Sequence, residues 1–399
     1  MDDTLKYFLK YVKIDTQSDD KSSTCPSSKK QLNLAKELLK DLENLGIEGA
    51  FIDEFGQVHA FIEGAKGVET IGFNAHMDTA LEASGKNVKP RIIENYDGED
   101  IELNPNKKTE VRTFPFLKRF IGQTLVVTDG TTLLGADDKA GLSIIMNLVK
   151  YIKENPKFKH HPISILFTVD EEIGRGADHF DAKSFKADYA YTLDGVSPYI
   201  ISYENFNAAH AVLEIEGVSI HPGEAKGKMI NPNLLAMEFE ALLPKQYPQN
   251  TDGYDGFHHL TSFTGDAEKA VLTYILRDHS ALKLKMLVEE FEKAKQTIQV
   301  RYPKAKINLE IGYDYKNMAE ILKKDPRALR KIESVYKNMG LEFTYYPIRG
   351  GTDGATFSYK GCPCPNLGNG SYNHHGPHEF LVKEEHDLLI EIVKEIVKV

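Results

Sequence analysis

The pattern that most constrains the fold of this chain is the alternation of short apolar runs with longer segments of helical periodicity. Strand-like runs occupy residues 58–62, 70–74 and 163–169. Between such runs, apolar residues recur at helical spacing over residues 30–45 and 139–153. Strands that alternate with helices of this length predict a mostly parallel sheet. The expected fold class is α/β, with the sheet flanked by helices.

The pattern changes between residues 209 and 315. This stretch contains strand-like and helical segments in the order strand, helix, weak strand, strand, helix and strand, which resembles a small ferredoxin-like α+β module. The chain of 399 residues is also long for one compact domain. We therefore expect an α/β domain made of residues 1–208 and 316–399, interrupted by an inserted domain at 209–315.

Charge and composition exclude several functional classes. The chain has 49 Lys and Arg against 59 Asp and Glu, a net charge of −10 without a basic stretch, which argues against a nucleic-acid partner. It contains no run of 18 apolar residues, so no membrane partner is expected. The first four residues lack the basic and apolar regions of a signal peptide. These features predict a soluble cytoplasmic protein.

The three cysteines do not form a recognisable disulfide framework. Their number is odd, and Cys362 and Cys364 are separated by one proline without a second pair. That spacing differs from the usual zinc motifs. We expect Cys362 and Cys364 to be small buried thiols at the start of a strand.

Chemistry-bearing side chains follow the apolar runs. Five segments place His, Asp or Glu directly after such a run: 73–79, 134–141, 168–174, 191–195 and 372–380. Strand ends converge on one edge of an open α/β sheet, where ligands bind. Imidazole and carboxylate are ligands that zinc accepts, and neighbouring carboxylates need a compensating positive charge. The pattern predicts a metal site at this edge.

The motifs carry a family resemblance. The sequence resembles the peptidase T group of tripeptide aminopeptidases, within the two-zinc metallopeptidases that include aminoacylase and glutamate carboxypeptidase. The strings that carry it are HMDT at 76–79, GADDKAG at 135–141, DEEIG at 170–174, ENFNAA at 204–209, GVSIHPG at 217–223, RGGTDG at 349–354 and HGPHE at 375–379. The resemblance implies a zinc-exopeptidase-like fold with an inserted lid domain.

The resemblance also implies a metal set of two Zn²⁺ ions per subunit, with Co²⁺ or Mn²⁺ as alternatives. His76 and Asp194 would bind one ion, and Glu172 and His375 would bind the other. Asp137 would bridge the two ions.

Three neighbours of these ligands are given other roles. Asp138 is expected to cap or brace the following helix. His374 and His378 are expected to contact substrate or support the structure, because the family spacing selects the histidine four residues before Glu379 as the ligand.

The same resemblance assigns the catalytic residues. Glu171 would be the general base, activating a water between the metals and passing its proton to the leaving amine. Asp78 would orient His76 from the same face of a strand, two residues further on.

Substrate-binding residues are implied in the inserted domain and near the C-terminal motifs. His221 would reach from the lid to the substrate carbonyl. Arg277 and Arg349 are candidates for binding a peptide carboxylate, although ordinary surface ion pairs remain an alternative for both. Gly350 and Gly351 would allow the backbone to approach the substrate closely.

The function expected from the sequence is a two-zinc exopeptidase that removes the N-terminal residue of tripeptides, with small peptides as its substrate partners. An alternative keeps the metal site but acts on dipeptides or N-acyl amino acids, as carboxypeptidases and aminoacylases do. A more remote alternative is a non-catalytic metal-binding or assembly protein. The inserted domain is expected to act as a lid or as the surface of a homodimer.

Overall fold

The computed structural model describes residues 3–399 as alternating strands and helices. In chain order the strands are β1 (Phe51–Ile52), β2 (Val58–Ile62), β3 (Ile71–His76), β4 (Arg91–Ile93), β5 (Ile101–Asn104), β6 (Lys107–Thr109), β7 (Leu125–Val127), β8 (Ile163–Thr168), β9 (Tyr189–Gly195), β10 (Ile200–Ser202), β11 (Asn207–Glu216), β12 (Phe257–Gly265), β13 (Lys269–Asp278), β14 (Lys306–Tyr315), β15 (Thr344–Tyr345), β16 (Asn366–Gly368), β17 (Ser371–Tyr372) and β18 (Phe380–Val382). The α-helices are α1 (Lys6–Tyr11), α2 (Gln31–Asn44), α3 (Ala136–Glu154), α4 (Ala182–Phe185), α5 (Pro232–Leu242), α6 (Ala281–Arg301), α7 (Ala319–Lys324), α8 (Arg327–Met339), α9 (Asp353–Tyr359) and α10 (Lys383–Val397).

The largest sheet has the strand order β1-β2-β8-β3-β9-β16-β10-β15. Its centre is parallel, because β8, β3, β9 and β16 all run in the same direction. Strands β3 and β8 are buried at every position, so their sequences are continuous apolar runs rather than alternating patterns. Helix α3 packs on β3 and β9. The predicted α/β class with a mostly parallel sheet is confirmed.

The chain divides into two compact units. One comprises the residues before Glu204 together with Met318–Tyr346 and Thr352–Val399, and the other comprises Glu204–Asn317 and Pro347–Gly351. The sequence pattern placed the division at residues 209 and 315. The observed and expected boundaries differ most at Pro347–Gly351, which was expected in the first domain but belongs to the second unit. This segment is attached there by the N–H of Ile348, which donates to the carbonyl of Glu204 at 2.8 Å.

The second unit has the element order β11-α5-β12-β13-α6-β14 and an antiparallel sheet in the order β12-β13-β11-β14. This is the ferredoxin-like arrangement expected for the insertion. Its core includes Phe239, Tyr274 and Phe291, all buried between the sheet and the two helices. Strand β12 was only weakly indicated by the sequence, because it lies at the edge and most of its positions are exposed.

Residues 82–123 are polar and rich in turn-forming residues, yet they form regular structure. The segment contains β4, β5 and β6, and β4 joins a small sheet in the order β17-β18-β7-β4. Phe120 from this segment packs with Tyr372 and Phe380 in a separate hydrophobic cluster. The apolar residues of the cluster come from distant parts of the chain, so no local periodicity reveals it.

Neither a disulfide nor a helix suited to crossing a bilayer occurs in residues 3–399. All three cysteines are free. Cys362 and Cys364 are buried just ahead of β16, as predicted. Every described helix is too short or too polar to traverse a membrane.

Candidate active site

Three neighbouring strands bring acidic and imidazole side chains to one edge of the large sheet. His76 is the last residue of β3 and lies opposite Thr168, the last residue of β8. Asp194 is the second-to-last residue of β9, and Glu171 and Glu172 lie in a short 3-10 turn that follows β8. Because these strands are adjacent and parallel, their carboxyl ends meet.

Asp137 reaches the same edge from the start of α3. The carboxylate of Glu379 accepts hydrogen bonds from the backbone N–H groups of Leu134 at 2.7 Å, Gly135 at 2.8 Å and Asp137 at 3.0 Å. Glu379 therefore fixes the loop that presents Asp137. In the sequence, Glu379 served only as the reference from which His375 was counted, and its place in the HGPHE string was the available signal for this role.

Two groups of ligand atoms share one carboxylate. His76, Asp137 and Asp194 form the first group, and Asp137, Glu172 and His375 form the second; within each, the ligand atoms lie within 4.8 Å of one another. Asp137 Oδ1 is 2.9 Å from His76 Nε2, whereas Asp137 Oδ2 is 3.4 Å from His375 Nε2. The two oxygens of Asp137 thus face different histidines, as a bridging ligand requires.

The chemistry of this donor set fits divalent cations. Glu172 is 5% exposed, and its Oε2 lies 3.0 Å from His375 Nε2. Its other oxygen, Oε1, is buried and has no hydrogen-bond partner among the described residues. Burial and the neighbouring Asp137 raise the pKa of Glu172 to about 7. A cation would satisfy the orphaned oxygen and supply the missing positive charge.

Histidine side chains balance part of the negative charge of the carboxylates at this site. Burial opposes ionisation of Asp137, yet His374, His375 and His76 hold its pKa well below the usual value. Hydrogen bonds to Asp137 and Glu172 raise the pKa of His375 to about 11. This reciprocal pairing places positive charge beside the buried carboxylates.

His374 also lies beside the shared carboxylate. Its Nδ1 is 3.3 Å from Asp137 Oδ2, and its Nε2 is 2.8 Å from the hydroxyl of Ser371. His378, by contrast, contacts Thr109 through Nδ1 at 3.0 Å. The structure therefore brings His374 to the two groups and leaves His378 in a contact with the β5–β6 hairpin.

Asp138 is buried behind the site. Its Oδ1 accepts from the N–H of Gly141 at 3.1 Å and from Asn369 Nδ2 at 2.9 Å, while its Oδ2 accepts from the N–H of His76 at 3.2 Å. These contacts brace the first turn of α3 against β3.

Asp78 joins the metal-ligand candidates to the turn that holds Glu171. It was expected on the same face of a strand as His76, but β3 ends at His76, so Asp78 lies beyond the strand. His76 Nδ1 is nevertheless 3.1 Å from the carbonyl oxygen of Asp78 and 3.4 Å from its Oδ1. The N–H groups of Glu171 and Glu172 donate to the same carboxylate at 3.0 and 3.1 Å.

Glu171 interacts electrostatically with residues of both groups and with a further buried acid, Asp353. Burial raises its pKa well above the usual value, with Asp353, Glu172 and Asp137 adding to the effect. Asp353, which the sequence analysis left without a role, accepts a hydrogen bond from Thr168 Oγ1 at 2.6 Å. Its place in the RGGTDG string was the only sequence signal for a residue at this site.

The five residues proposed for substrate binding lie in the second unit. His221 is exposed, and its Nδ1 accepts a hydrogen bond from the N–H of Gly223 at 3.2 Å. Arg277 donates to the carbonyls of Ala209 and Leu276, both at 2.9 Å, and lies 3.7 Å from Asp314.

Arg349 is held by a neighbouring segment of the same unit. Its guanidinium donates to the carbonyls of Gly253 at 2.8 Å and Asp255 at 2.9 Å, and to the hydroxyl of Thr251 at 3.0 Å. These bonds use three of the five guanidinium N–H donors, so two donors remain for a carboxylate.

The two glycines after Arg349 differ in their surroundings. A side chain at Gly351 would come within 3.0 Å of the Tyr315 ring, whereas one at Gly350 would meet nothing within 4 Å. The Tyr315 ring thus occupies the place where a side chain of residue 351 would project, whereas the space beside Gly350 is open.

Comparison with known proteins decides the family. The model for peptidase family M20/M25/M40 matches residues 126–399, which is more than half of the chain. This chain belongs to that family. The matched region includes Asp137, Glu171, Glu172, Asp194 and His375, so most of the site described above lies within it.

Relatives within the peptidase family align with the whole chain. Peptidase T from Caldanaerobacter subterraneus is 44% identical, covering 100% of this chain and 98% of that relative. Peptidase T from Fusobacterium nucleatum is 45% identical, covering 98% and 96%. The resemblance inferred from the motifs is confirmed, and the chain is an enzyme of the peptidase class.

Solved structures share the fold. The crystal structure of aminopeptidase PepT from Bacillus cereus superposes with a TM-score of 0.78 at 23% identity, covering 99% of this chain and 97% of that chain. The YXEP protein of Bacillus subtilis, a dinuclear metal binding peptidase from the same family, gives a TM-score of 0.65 at 14% identity, covering 98% and 96%.

Proposed function

We propose that this peptidase removes the N-terminal residue from tripeptides with the help of two zinc ions. The observation that carries the proposal is the pair of ligand groups joined through Asp137, with Glu171 beside them. Its relatives at 44–45% identity over nearly the whole chain are named peptidase T, and one structural neighbour is an aminopeptidase.

His76, Asp137 and Asp194 would hold one ion, and Asp137, Glu172 and His375 would hold the other. Mixed nitrogen and oxygen donors suit Zn²⁺, and Co²⁺ or Mn²⁺ accept the same set. When bound, such ions supply positive charge that lowers the pKa of water and stabilises oxyanions.

Glu171 would move the proton. In the proposed reaction, water adds to the scissile carbonyl carbon while Glu171 takes its proton, and the C–N bond then breaks as Glu171 returns that proton to the leaving amine. Asp78 would orient both Glu171 and His76, because its carboxylate accepts a hydrogen bond from the N–H of Glu171 and lies against the His76 ring.

The second unit would contribute substrate contacts. His221 would donate a hydrogen bond to the substrate carbonyl oxygen, and Arg277 and Arg349 would bind the peptide carboxylate, with Gly350 and Gly351 leaving room for the backbone. Action of this unit as a lid or as a dimer surface remains a prediction of the sequence.

A peptide panel tests the proposed specificity. With metal-loaded enzyme, kcat/KM for trialanine is expected to exceed that for dialanine and tetraalanine by at least about tenfold, which corresponds to about 1.4 kcal/mol of differential transition-state binding. N-acetyl-trialanine is expected to be a poor substrate, since an aminopeptidase requires a free α-amino group. Release of free alanine is followed by chromatography.

Two outcomes of the same panel would replace the proposal. Preferred cleavage of N-blocked substrates would favour the aminoacylase-like or carboxypeptidase-like alternative. Absence of cleavage with any substrate, together with no uptake of divalent metal, would favour a non-catalytic protein.

Metal loading is expected to stabilise the chain. Ligands that bind only the folded state stabilise it by about 4 kcal/mol at a concentration a thousandfold above Kd. For a chain of 399 residues that is a rise in Tm of roughly 5 °C. Differential scanning calorimetry of chelator-treated protein, before and after addition of zinc, measures the shift. An unchanged Tm with full metal uptake would mean that the site binds metal equally well in the unfolded chain.

A further inference from the structure

The segment between α1 and α2 lies against the turn that carries Glu171. The guanidinium of Arg175, just after that turn, donates hydrogen bonds to the carbonyl oxygens of Ser22 at 3.0 Å and Thr24 at 2.8 Å. Helix α2 then begins at Gln31. Residues about 150 positions away in sequence are thus attached directly to the turn.

Asp170, the residue before Glu171, is the centre of these contacts. Its carboxylate accepts hydrogen bonds from the N–H of Ser27 at 2.7 Å, from the hydroxyl of Ser27 and from Gln31 Nε2 at 2.6 Å. The backbone N–H of Asp170 donates in return to Gln31 Oε1 at 3.1 Å. Asp170 and Gln31 are fully buried, so water cannot replace these bonds when they are removed.

The backbone at Asp170 explains why the turn needs such support. Its φ of 59° lies in the left-handed region, which costs free energy in a residue other than glycine. A conformation of this kind persists only when the surroundings determine it. On the opposite flank, the N–H groups of Glu171 and Glu172 donate to Asp78. The turn is therefore held on both sides.

We propose that Ser27 and Gln31 are positioning residues for Glu171 and act through Asp170. The inference rests on the proposed function, in which Glu171 transfers the proton. Neither Ser27 nor Gln31 belongs to the two metal-ligand groups. Glu172 is held independently by its contact with His375 and its hydrogen bond to Asp78. Loss of the Gln31 bonds therefore misorients Glu171 while the metals stay bound.

The test uses Gln31→Met and Ser27→Ala in the full-length, metal-loaded enzyme. Methionine keeps the size of glutamine but removes its donor and acceptor. A misplacement of about 1 Å at a reacting group lowers the rate by up to about a hundredfold. We expect Gln31→Met to lower kcat between tenfold and a hundredfold, with KM within twofold and two metals per chain retained; Ser27→Ala should have a smaller effect in the same direction.

A matched control is Asn147→Leu. Asn147 is a buried amide on α3, and it donates two hydrogen bonds, to the carbonyls of Thr4 and Ser143, both at 2.9 Å. These hydrogen-bond partners lie outside the turn, so loss of the Asn147 amide is expected to lower Tm without lowering kcat. An equal loss of kcat in Asn147→Leu and Gln31→Met would show a general effect of destabilisation and overturn the proposal.

A double-mutant cycle separates positioning from other roles. If Gln31 acts through Glu171, Gln31→Met is expected to add less than a twofold loss in a Glu171→Gln background. Multiplicative losses, unchanged kcat in Gln31→Met, or loss of metal from that variant would each overturn the proposal. Different results would refute the proposed function itself. These are a wild-type enzyme that does not cleave tripeptides, or a Glu171→Gln variant that keeps the wild-type kcat.

Discussion

Replacing Glu171 with glutamine is expected to lower kcat for a tripeptide by about 10²–10⁴-fold, the usual contribution of a general base. Glutamine keeps the shape of the side chain but cannot accept the proton of the attacking water. Glu171 belongs to neither metal-ligand group, so two metals per chain should remain bound. Steady-state kinetics, together with metal content measured by inductively coupled plasma mass spectrometry, provide both quantities.

A control for this variant is Glu43→Gln, an exposed carboxylate on α2 that is expected to leave kcat unchanged. Wild-type-like turnover in Glu171→Gln would exclude Glu171 as the base. A loss of turnover accompanied by an equal loss of metal would instead assign Glu171 a role in forming the site.

Replacing Asp137 with alanine is expected to remove both ligand groups at once. Each group contains this carboxylate, and its two oxygens face different histidines, so neither metal keeps its full ligand set. Charge stabilisation by the metals contributes several kcal/mol to the transition state, and its loss lowers kcat by roughly a thousandfold or more. Metal content should fall from two per chain to less than one, and zinc should no longer raise Tm.

Asp194→Ala is the matched comparison, because Asp194 belongs to one group only. We expect this variant to keep about one metal per chain, bound by the intact group that contains Glu172 and His375. Retention of two tightly bound metals in Asp137→Ala would contradict the shared-ligand arrangement. Equal metal loss in the two variants would show that the sites fill cooperatively.

The general fold was predictable because its signals are local. Buried parallel strands such as β3 and β8 give continuous apolar runs, and helices such as α2 give a 3.6-residue period. The inserted unit was visible for the same reason. Strand β12 and the cluster around Phe120 could not be predicted in this way. An exposed edge strand lacks the alternation of apolar and polar residues, and a cluster assembled from distant segments has no periodic apolar pattern in the sequence.

Within the site, the acidic and imidazole side chains were predictable, whereas the groups that hold them were not. Residues at the ends of adjacent parallel strands converge on one edge of the sheet. For this reason His76, Asp194 and Glu172 could be named as candidate site residues from the sequence. Glu379 and Gln31 act through hydrogen bonds to backbone groups or to a buried carboxylate far away in the chain. Such partners depend on tertiary placement, and a glutamine at the start of a helix has no distinguishing local pattern.

The sequence by itself determined the family of this protein and the residue types available for its site. The His, Asp and Glu residues after the apolar runs can be read from the sequence directly, and the family resemblance that the motif strings carry is confirmed by the comparison. Only the tertiary structure decided which oxygen of Asp137 faces which histidine, and that Asp170 is buried against Ser27 and Gln31. The physical reason is range: periodicity and composition report on neighbours along the chain, while ligand geometry and buried hydrogen bonds arise between segments that only folding brings together.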